Sequence, residues 1–425
     1  MKYFNKRGTS SPGIGTGLLS AGVILLHLAF SSVASAGATS GTLSQQLTEI
    51  VSRGIGKAFY PGAVLIVGRP GEELFSKPYG HYTYDADAKP MTMDTVFDQA
   101  SVSKVVGTST AAMKLLELHK LGLDDRVSSY IPEFASGGKD DDRIRDLLTH
   151  VSGLKSYTSA AAAEAQRKAE QSKSDAMIEH IATLPASYPP GTKVVYSCLN
   201  MQSQARVNEV AIGGRMDEFL KDNVYVPLGM KDTVYVLNED QNSRCAPTQR
   251  NKDGSAIVAK THDPIANYHD SDIHCPGNAG LFSTAPDLAR YCDMILSDGK
   301  AGNKRVFKPE TLRLMTSIQT PKEVRDERAL GWDIYTTAPY CTRLNQTDET
   351  RCIGHTGYTG TMIWLDKLSK TYMVFLTNRT WPDDSTTSSR GTVATRKALI
   401  DVILHSRPEY KEVFASVSAS ASASE

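Results

Sequence analysis

Apolar residues in 42–59 recur at helical spacing (Leu43, Leu47, Ile50, Val51, Ile55), which predicts an amphipathic helix that Pro61-Gly62 ends. The unbroken run Ala63-Val64-Leu65-Ile66-Val67-Gly68 reads as a buried strand, and Arg69-Pro70-Gly71-Glu72 as a hairpin turn. Thr95-Val96-Phe97 is a further short strand, after which residues 101–119 return to a helical period. Helices are also predicted over 143–150, 160–184, 207–220 and 287–296. Strand character returns at 329–335. Residues 361–365 and 371–376 form a hairpin, apolar at successive positions and therefore covered on both faces. A last helix spans 392–404. Sheet segments thus open and close the chain with helices between. This is an α+β arrangement: an antiparallel sheet flanked by helices (about 40–100 and 300–405), an all-helical lobe (about 105–290), and a cleft at their seam.

Composition adds little to that picture, but charge narrows the partners. Lys and Arg total 47, as do Asp and Glu, so the net charge is zero. Such a chain has no long-range attraction for nucleic acid or anionic membrane. The first 36 residues read as an export signal: Lys2, Lys6 and Arg7, an apolar stretch over 17–30, then Ala34-Ser35-Ala36 as a cleavage pattern. The apolar stretch is too short for a stable span and His27 interrupts it. The expected product is a secreted or periplasmic domain over 37–408, with a disordered tail over 409–425. All six cysteines follow the signal. Cys341 and Cys352 flank a short polar segment that suits a small closed loop, and the other pairings are open.

A search for Ser-x-x-Lys returns Ser101 with Lys104, Ser152 with Lys155 and Ser297 with Lys300. Three residues apart on a helix, the amine reaches the hydroxyl. Only the first pair opens a long apolar-periodic helix; the other two carry glycine inside the tetrad and read as helix exits. A serine at a helix start also has free backbone N–H groups beside it for an oxyanion. The tetrad alone equally fits a helix cap beside a solvated lysine. Lysine's ordinary pKa of about 10.4 leaves it protonated at neutral pH. Burial must lower that value, or a second group must share the proton work; a nearby tyrosine could do so, its phenol depressed by the positive site.

In its motifs the chain resembles the serine β-lactamase-like family: class C β-lactamases, D-Ala-D-Ala carboxypeptidases and β-lactamase-like esterases. Ser101-Val102-Ser103-Lys104 matches the first motif, Tyr196-Ser197-Cys198 the second (Tyr-x-Asn) and His355-Thr356-Gly357 the third, in order, over about residues 43–405. Flanking stretches also resemble the family: Pro61-Gly62-Ala63, Leu147-Leu148-Thr149-His150-Val151-Ser152-Gly153-Leu154 and Ala279-Gly280-Leu281-Phe282-Ser283-Thr284. The resemblance implies an acyl-enzyme on Ser101, with Lys104 and Tyr196 exchanging the proton. It implies an oxyanion hole from the N–H groups of Ser101 and Tyr358, with His355 and Thr356 along the strand edge that receives substrate. No cofactor or metal is implied, and the partner is a small-molecule or peptide substrate. Two positions depart from the pattern. Cys198 stands where the family has an amide, as a cleft thiol, a packing residue or a disulfide partner. His355 replaces lysine, and an imidazole of pKa about 6.5 is largely neutral at pH 7. Both favour a peptidase or esterase over an efficient lactamase.

The competing signals are weaker. His262-Asp263, His269-Asp270, Asp272 and His274 are metal-ligand types without helix-pair spacing, and read as a polar loop rimming the cleft. The mature chain has no Gly-x-Ser-x-Gly elbow. Asn345 and Asn378 begin glycosylation sequons. The alternative to hydrolysis is a non-catalytic, penicillin-binding-like recognition module.

Overall fold

A computed structural model describes residues 41–335 and 352–411. The signal segment, Cys341, Asn345 and the 412–425 part of the tail lie outside the described residues. Along the chain come α1 (Leu43–Gly56), β1 (Gly62–Arg69), β2 (Glu72–Gly80) and the short β3 (Phe97–Asp98). Then follow α2 (Thr110–Glu117), α3 (Ile144–Leu148), α4 (Ala160–Glu164), α5 (Lys173–Thr183), α6 (Cys198–Ile212) and α7 (Met216–Leu220). The short β4 (Phe282–Ser283) pairs with β3 and leads to α8 (Ala285–Leu296). The chain closes with β5 (Asp333–Tyr335), β6 (Cys352–Thr356), β7 (Met362–Asp366), β8 (Thr371–Thr377) and α9 (Thr386–His405).

Six strands form one antiparallel sheet in the order β2-β1-β8-β7-β6-β5, so the first hairpin pairs with the last. Leu65 lies opposite Phe375, and His355 opposite Ile363. Alternation along β1 sends Leu65 and Val67 to one face and Val64 and Ile66 to the other. On the first face Trp364 and Phe375 pack with Leu47 of α1 and Leu399, Ile400 and Ile403 of α9. On the second, Ile363 and Val374 join Met113, Leu148 and Leu281 from the helical part, and Trp332 just ahead of β5. The predicted double cover of the hairpin follows: every residue of β7 and β8 is buried. Thr42 caps α1 reciprocally, accepting from the Gln45 N–H at 3.3 Å while its own N–H donates to Gln45 Oε1 at 2.8 Å.

Several predicted boundaries need correction. The helix expected over 160–184 is two helices, because the polar stretch between them has no apolar anchor and Ser172 starts the second as its cap, accepting from the Asp175 N–H at 3.0 Å. The helix expected from 207 starts at Cys198, where Ser197 Oγ accepts from the N–H groups of Leu199 and Asn200 at 3.1 and 3.2 Å. Its first half buries Asn200, Gln202, Ser203 and Gln204, so apolar periodicity cannot reveal it. It stops at Gly213, at φ 74°, and α7 resumes at Met216. Only Asp333–Tyr335 of the strand expected over 329–335 pairs, and α9 begins six residues ahead of the expected 392. The Asn378 sequon is sealed: its amide is buried and donates to the carbonyls of Tyr82 and Pro247. No helix among the described residues is long and apolar enough to cross a membrane.

One buried acid sets a stability expectation. Asp142 is fully buried, and neither carboxylate oxygen finds a partner among the described residues. Burial, with Asp146 adding to it, pushes its pKa up to about 8. The folded chain therefore holds a proton there that the unfolded chain releases at lower pH, so this residue's ionisation costs stability as pH rises toward 8. Asp142→Asn should flatten that loss and gain about 2 kcal/mol over the wild type at alkaline pH. Denaturant midpoints at acidic and alkaline pH measure it; an equal pH dependence in both proteins would refute the assignment.

Candidate active site

The loop between β3 and α2 carries the candidate nucleophile. Asp98 is buried and holds the loop from inside, its Oδ1 accepting from the Ala100 N–H at 2.8 Å and its Oδ2 from the His262 N–H at 2.7 Å. Burial raises that carboxyl to about 6. Ala100 is held at φ 45°, a left-handed conformation that costs a non-glycine residue energy and turns the chain into the helix. Ser101 lies in a 3₁₀ turn (Ala100–Val102), followed by a π-wound segment (Lys104–Ser109) before α2 proper. The predicted helix is thus present, but its first turns are wound tighter and then wider than α, as is frequent at functional sites.

Lys104 is completely buried. Its Nζ donates to Ser101 Oγ at 2.8 Å and to the Asn278 carbonyl at 2.6 Å. Tyr196 closes the group, its ring centroid 5.1 Å from Lys104 Nζ. The segment after α3 fixes this tyrosine: the Val195 N–H donates to the His150 carbonyl at 2.9 Å, the Ser197 N–H to His150 Nδ1 at 3.2 Å, and the Cys198 N–H to the Ser156 carbonyl at 2.9 Å. The His150 ring lies 4.8 Å from the Tyr196 ring between centroids. The other two Ser-x-x-Lys tetrads lie outside the group: Ser152 donates to Asn200, and Ser297 ends α8.

From the opposite wall comes the end of β6. His355 is buried with its Nδ1 against the Thr356 carbonyl at 3.0 Å, so Nδ1 carries the hydrogen and Nε2 is a bare acceptor without a partner among the described residues. Burial, reinforced by Lys104 and Arg328, lowers its pKa to about 4, which keeps it neutral as the sequence predicts. The turn after β6 is tied to the nucleophile loop by Thr359 and Thr361, which donate to the carbonyls of Asp98 and Gln99 at 2.8 and 2.9 Å. Gly357 permits that approach: a Cβ there would sit 2.5 Å from the Gln99 oxygen. Among the described residues, neither the Ser101 N–H nor the Tyr358 N–H has an intramolecular acceptor. Tyr358 is held outside by its hydroxyl on Asp384 and by Arg379, 4.7 Å from its ring centroid.

Two expectations change. Burial pulls the Lys104 ammonium down, but the groups around it, Cys198, Tyr196 and Asp263, hold it up and the net direction is upward. Burial pushes the Tyr196 phenol up against the pull of Lys104 and Ser101. Although 38 % of Tyr196 is open to the cleft, its working end lies against Lys104 and Ser101. At neutral pH the site therefore holds an ammonium beside a neutral phenol, not a depressed lysine or tyrosine. Cys198 is a free thiol on the cleft wall, not a disulfide partner; Cys245, Cys275 and Cys292 are likewise free and buried.

The cleft has two halves that meet at Ser101, Tyr196 and Tyr358. One, about 470 Å³, is lined by Arg328, Arg379 and Arg396 with His355 and Thr356. The other, about 570 Å³, is lined by Tyr157, Cys198, His262, Asp263 and Asp384. A larger groove of about 790 Å³ beside Val226 and Tyr372 has no serine or cysteine among the described residues that line it, so chemistry and not size selects the candidate site. The histidine-rich segment is dispersed: His262 and Asp263 line the cleft, His274 pairs with Glu209 at 2.7 Å, and His269 is buried. Sequence reasoning gave no site role to Asn278, Arg328 or Tyr157. Asn278 offered one signal, since it immediately precedes the Ala279 to Thr284 stretch.

Known proteins resemble this chain in sequence and fold. A protein of Escherichia coli (strain K12), provisionally named a D-alanyl-D-alanine carboxypeptidase, is 29% identical over 349 residues, which cover 75% of this chain and 79% of that one. The N-acetylmuramyl-L-alanine amidase of Bacillus subtilis (strain 168) is 29% identical over 361 residues, 79% and 80% of the two chains. The hydrolase EstCE1, which has promiscuous acyltransferase activity, superposes with a TM-score of 0.67 at 20% identity, over 84% of this chain and 98% of that one. A penicillin-binding protein homologue from Caulobacter crescentus gives 0.65 at 18% identity, over 85% and 98%. Residues 47–394 match the Beta-lactamase family across most of the chain, and the chain belongs to that family.

Proposed function

We propose that this serine hydrolase works through an acyl-Ser101 intermediate, on D-Ala-D-Ala-type peptides or esters in preference to β-lactams. The observation that carries the reading is the 2.8 Å bond from Lys104 Nζ to Ser101 Oγ, beside two N–H groups that have no acceptor among the described residues. Once the Lys104–Tyr196 pair has lost one proton, it takes the Ser101 hydroxyl proton as Oγ bonds to the substrate carbonyl carbon. The Ser101 and Tyr358 N–H groups hold the oxyanion. Tyr196 passes the proton to the leaving group as the scissile bond breaks, and the pair then deprotonates the water that releases the acyl group. The arginine-lined half suits a leaving group that ends in a carboxylate. Cys198 removes the family's amide from the acyl side and His355 removes its lysine, which together favour a peptide or ester. Residues 1–36 would direct the chain out of the cytoplasm.

Fluorophosphonate or fluorescent penicillin should label the purified protein, and Ser101→Ala should abolish that label together with turnover of p-nitrophenyl butyrate. Absence of both label and turnover in the wild type would favour the recognition module. A panel of ester, nitrocefin and D-Ala-D-Ala peptide then ranks the substrates.

The charge state fixes the pH response. Because the resting pair holds one proton too many and both groups are shifted upward, kcat/KM should climb about tenfold per pH unit through neutrality until the pair's apparent pKa is reached. His355, already neutral above about 4, should add no inflection near 6.5. A profile on p-nitrophenyl butyrate, corrected for spontaneous hydrolysis, tests this; a rate that falls from pH 6 to 8 would contradict it.

A further inference from the structure

We infer that the Cys198-lined half of the cleft is a subsite for a positively charged group on the acyl side of the substrate, received by the Asp263 carboxylate and the Tyr157 ring. This rests on the acyl-Ser101 reading and specifies what the acyl group carries. The two halves of the cleft differ in sign. Among the described residues, the charged side chains that line the Cys198 half are Asp263 and Asp384, with no lysine or arginine. The other half presents Arg328, Arg379 and Arg396 against Asp333.

Of the two acids, Asp384 is already neutralised, paired with Arg379 at 2.6 Å. Asp263 is not. Its Oδ1 accepts from the Ala266 N–H at 2.8 Å and the Asn278 amide at 3.0 Å, and its Oδ2 accepts from the Tyr157 hydroxyl at 3.2 Å. These donors are neutral, and among the described residues no cationic side chain lies within ion-pair distance of it. Each oxygen keeps acceptor capacity. His262 adds no positive charge, because burial holds its imidazole below the ordinary value and Nε2 is bonded to Gln249 at 2.8 Å.

The aromatic setting points the same way. Tyr157 is 40% exposed, and its ring, with those of Tyr196 and Tyr358, walls the pocket. Lys104 and Arg379 already sit near the rings of Tyr196 and Tyr358, whereas among the described residues no cation is placed over Tyr157. An open aromatic ring whose hydroxyl is anchored on a carboxylate with no ion-pair partner among the described residues is a receptor for an ammonium group. An acyl group bearing a carboxylate would be repelled. With the arginine-lined half opposite, the substrate is positive on its acyl side and negative on its leaving side.

The test is a pair of p-nitrophenyl esters, of γ-trimethylammoniobutyrate and of its neutral tert-butyl isostere, each rate divided by that ester's hydroxide-catalysed rate. The full-length protein should prefer the cationic ester by about tenfold or more in kcat/KM, mostly through KM. Asp263→Asn and Tyr157→Leu, each confirmed folded by thermal unfolding, should bring the ratio to within about twofold, whatever the absolute rates. If Asp263 only steadies Asn278 and Lys104, both esters slow by one factor and the ratio persists, which overturns the inference. A wild-type ratio near one overturns it as well. If neither ester is turned over, the acyl-enzyme reading fails, and calorimetric titration with butyltrimethylammonium then decides the subsite alone. A Kd about tenfold weaker in Asp263→Asn supports it; equal or undetectable binding in both proteins overturns it.

Discussion

Lys104→Met should lower kcat/KM on p-nitrophenyl butyrate by about 10³-fold or more while the chain stays folded. Methionine fills the same buried channel but carries no proton and donates no hydrogen bond. It deletes the bond to Ser101 Oγ, leaving that hydroxyl unactivated, and the one to the Asn278 carbonyl. The stability effects oppose each other. An orphaned carbonyl costs about 1–3 kcal/mol, whereas the variant no longer has to desolvate a charge in a fully buried position. Circular dichroism and the thermal midpoint report the fold, and steady-state rates report the chemistry. A folded variant that retains more than about a tenth of wild-type activity would take Lys104 out of the proton path.

Gly357→Ala should be nearly as damaging by a purely steric route. The added Cβ would lie 2.0 Å from Thr361 Oγ1 and 2.5 Å from the Gln99 carbonyl oxygen, so rigid parts of two segments must separate. Those segments are the nucleophile loop and the turn bearing the Tyr358 N–H, and Thr359 and Thr361 bridge them. Separating them moves one oxyanion donor relative to the other. The expected cost is about 10²-fold in kcat, with about 3 kcal/mol of stability lost in addition. Gly56→Ala is the control: a Cβ at this last helical residue of α1 meets nothing within 4 Å, and the change should be neutral or slightly stabilising. Wild-type kcat in Gly357→Ala would show that the loop and the turn need not touch.

The strands β1, β7 and β8 could be read from the sequence because a strand covered on both faces leaves a continuous apolar run, and helix α1 because its single buried stripe has helical spacing. Ser101 and Lys104 were legible for a similarly local reason: one turn separates them, so any helical winding places amine beside hydroxyl. Helix α6 escaped the same reading because the residues it buries near the cleft are amides and hydroxyls, satisfied by partners far along the chain, such as Gln202 on Asn278 and Ser152 on Asn200. Packing alone decided the rest. The Asn278 carbonyl reaches Lys104 across 174 positions, and His150 holds Tyr196 in place from 46 residues upstream. The assembled cleft, and not any residue type, set the charge state of the Lys104–Tyr196 pair: burial raises the Tyr196 phenol, and the groups around Lys104 hold its ammonium up against that same burial. The opposite charge of the two cleft halves is likewise tertiary: sequence neighbours do not supply Arg328, Arg379 and Arg396 on one side and Asp263 on the other. Local periodicity and short motif spacing act through nearest neighbours along the chain, whereas desolvation and field arise only where distant segments exclude water together.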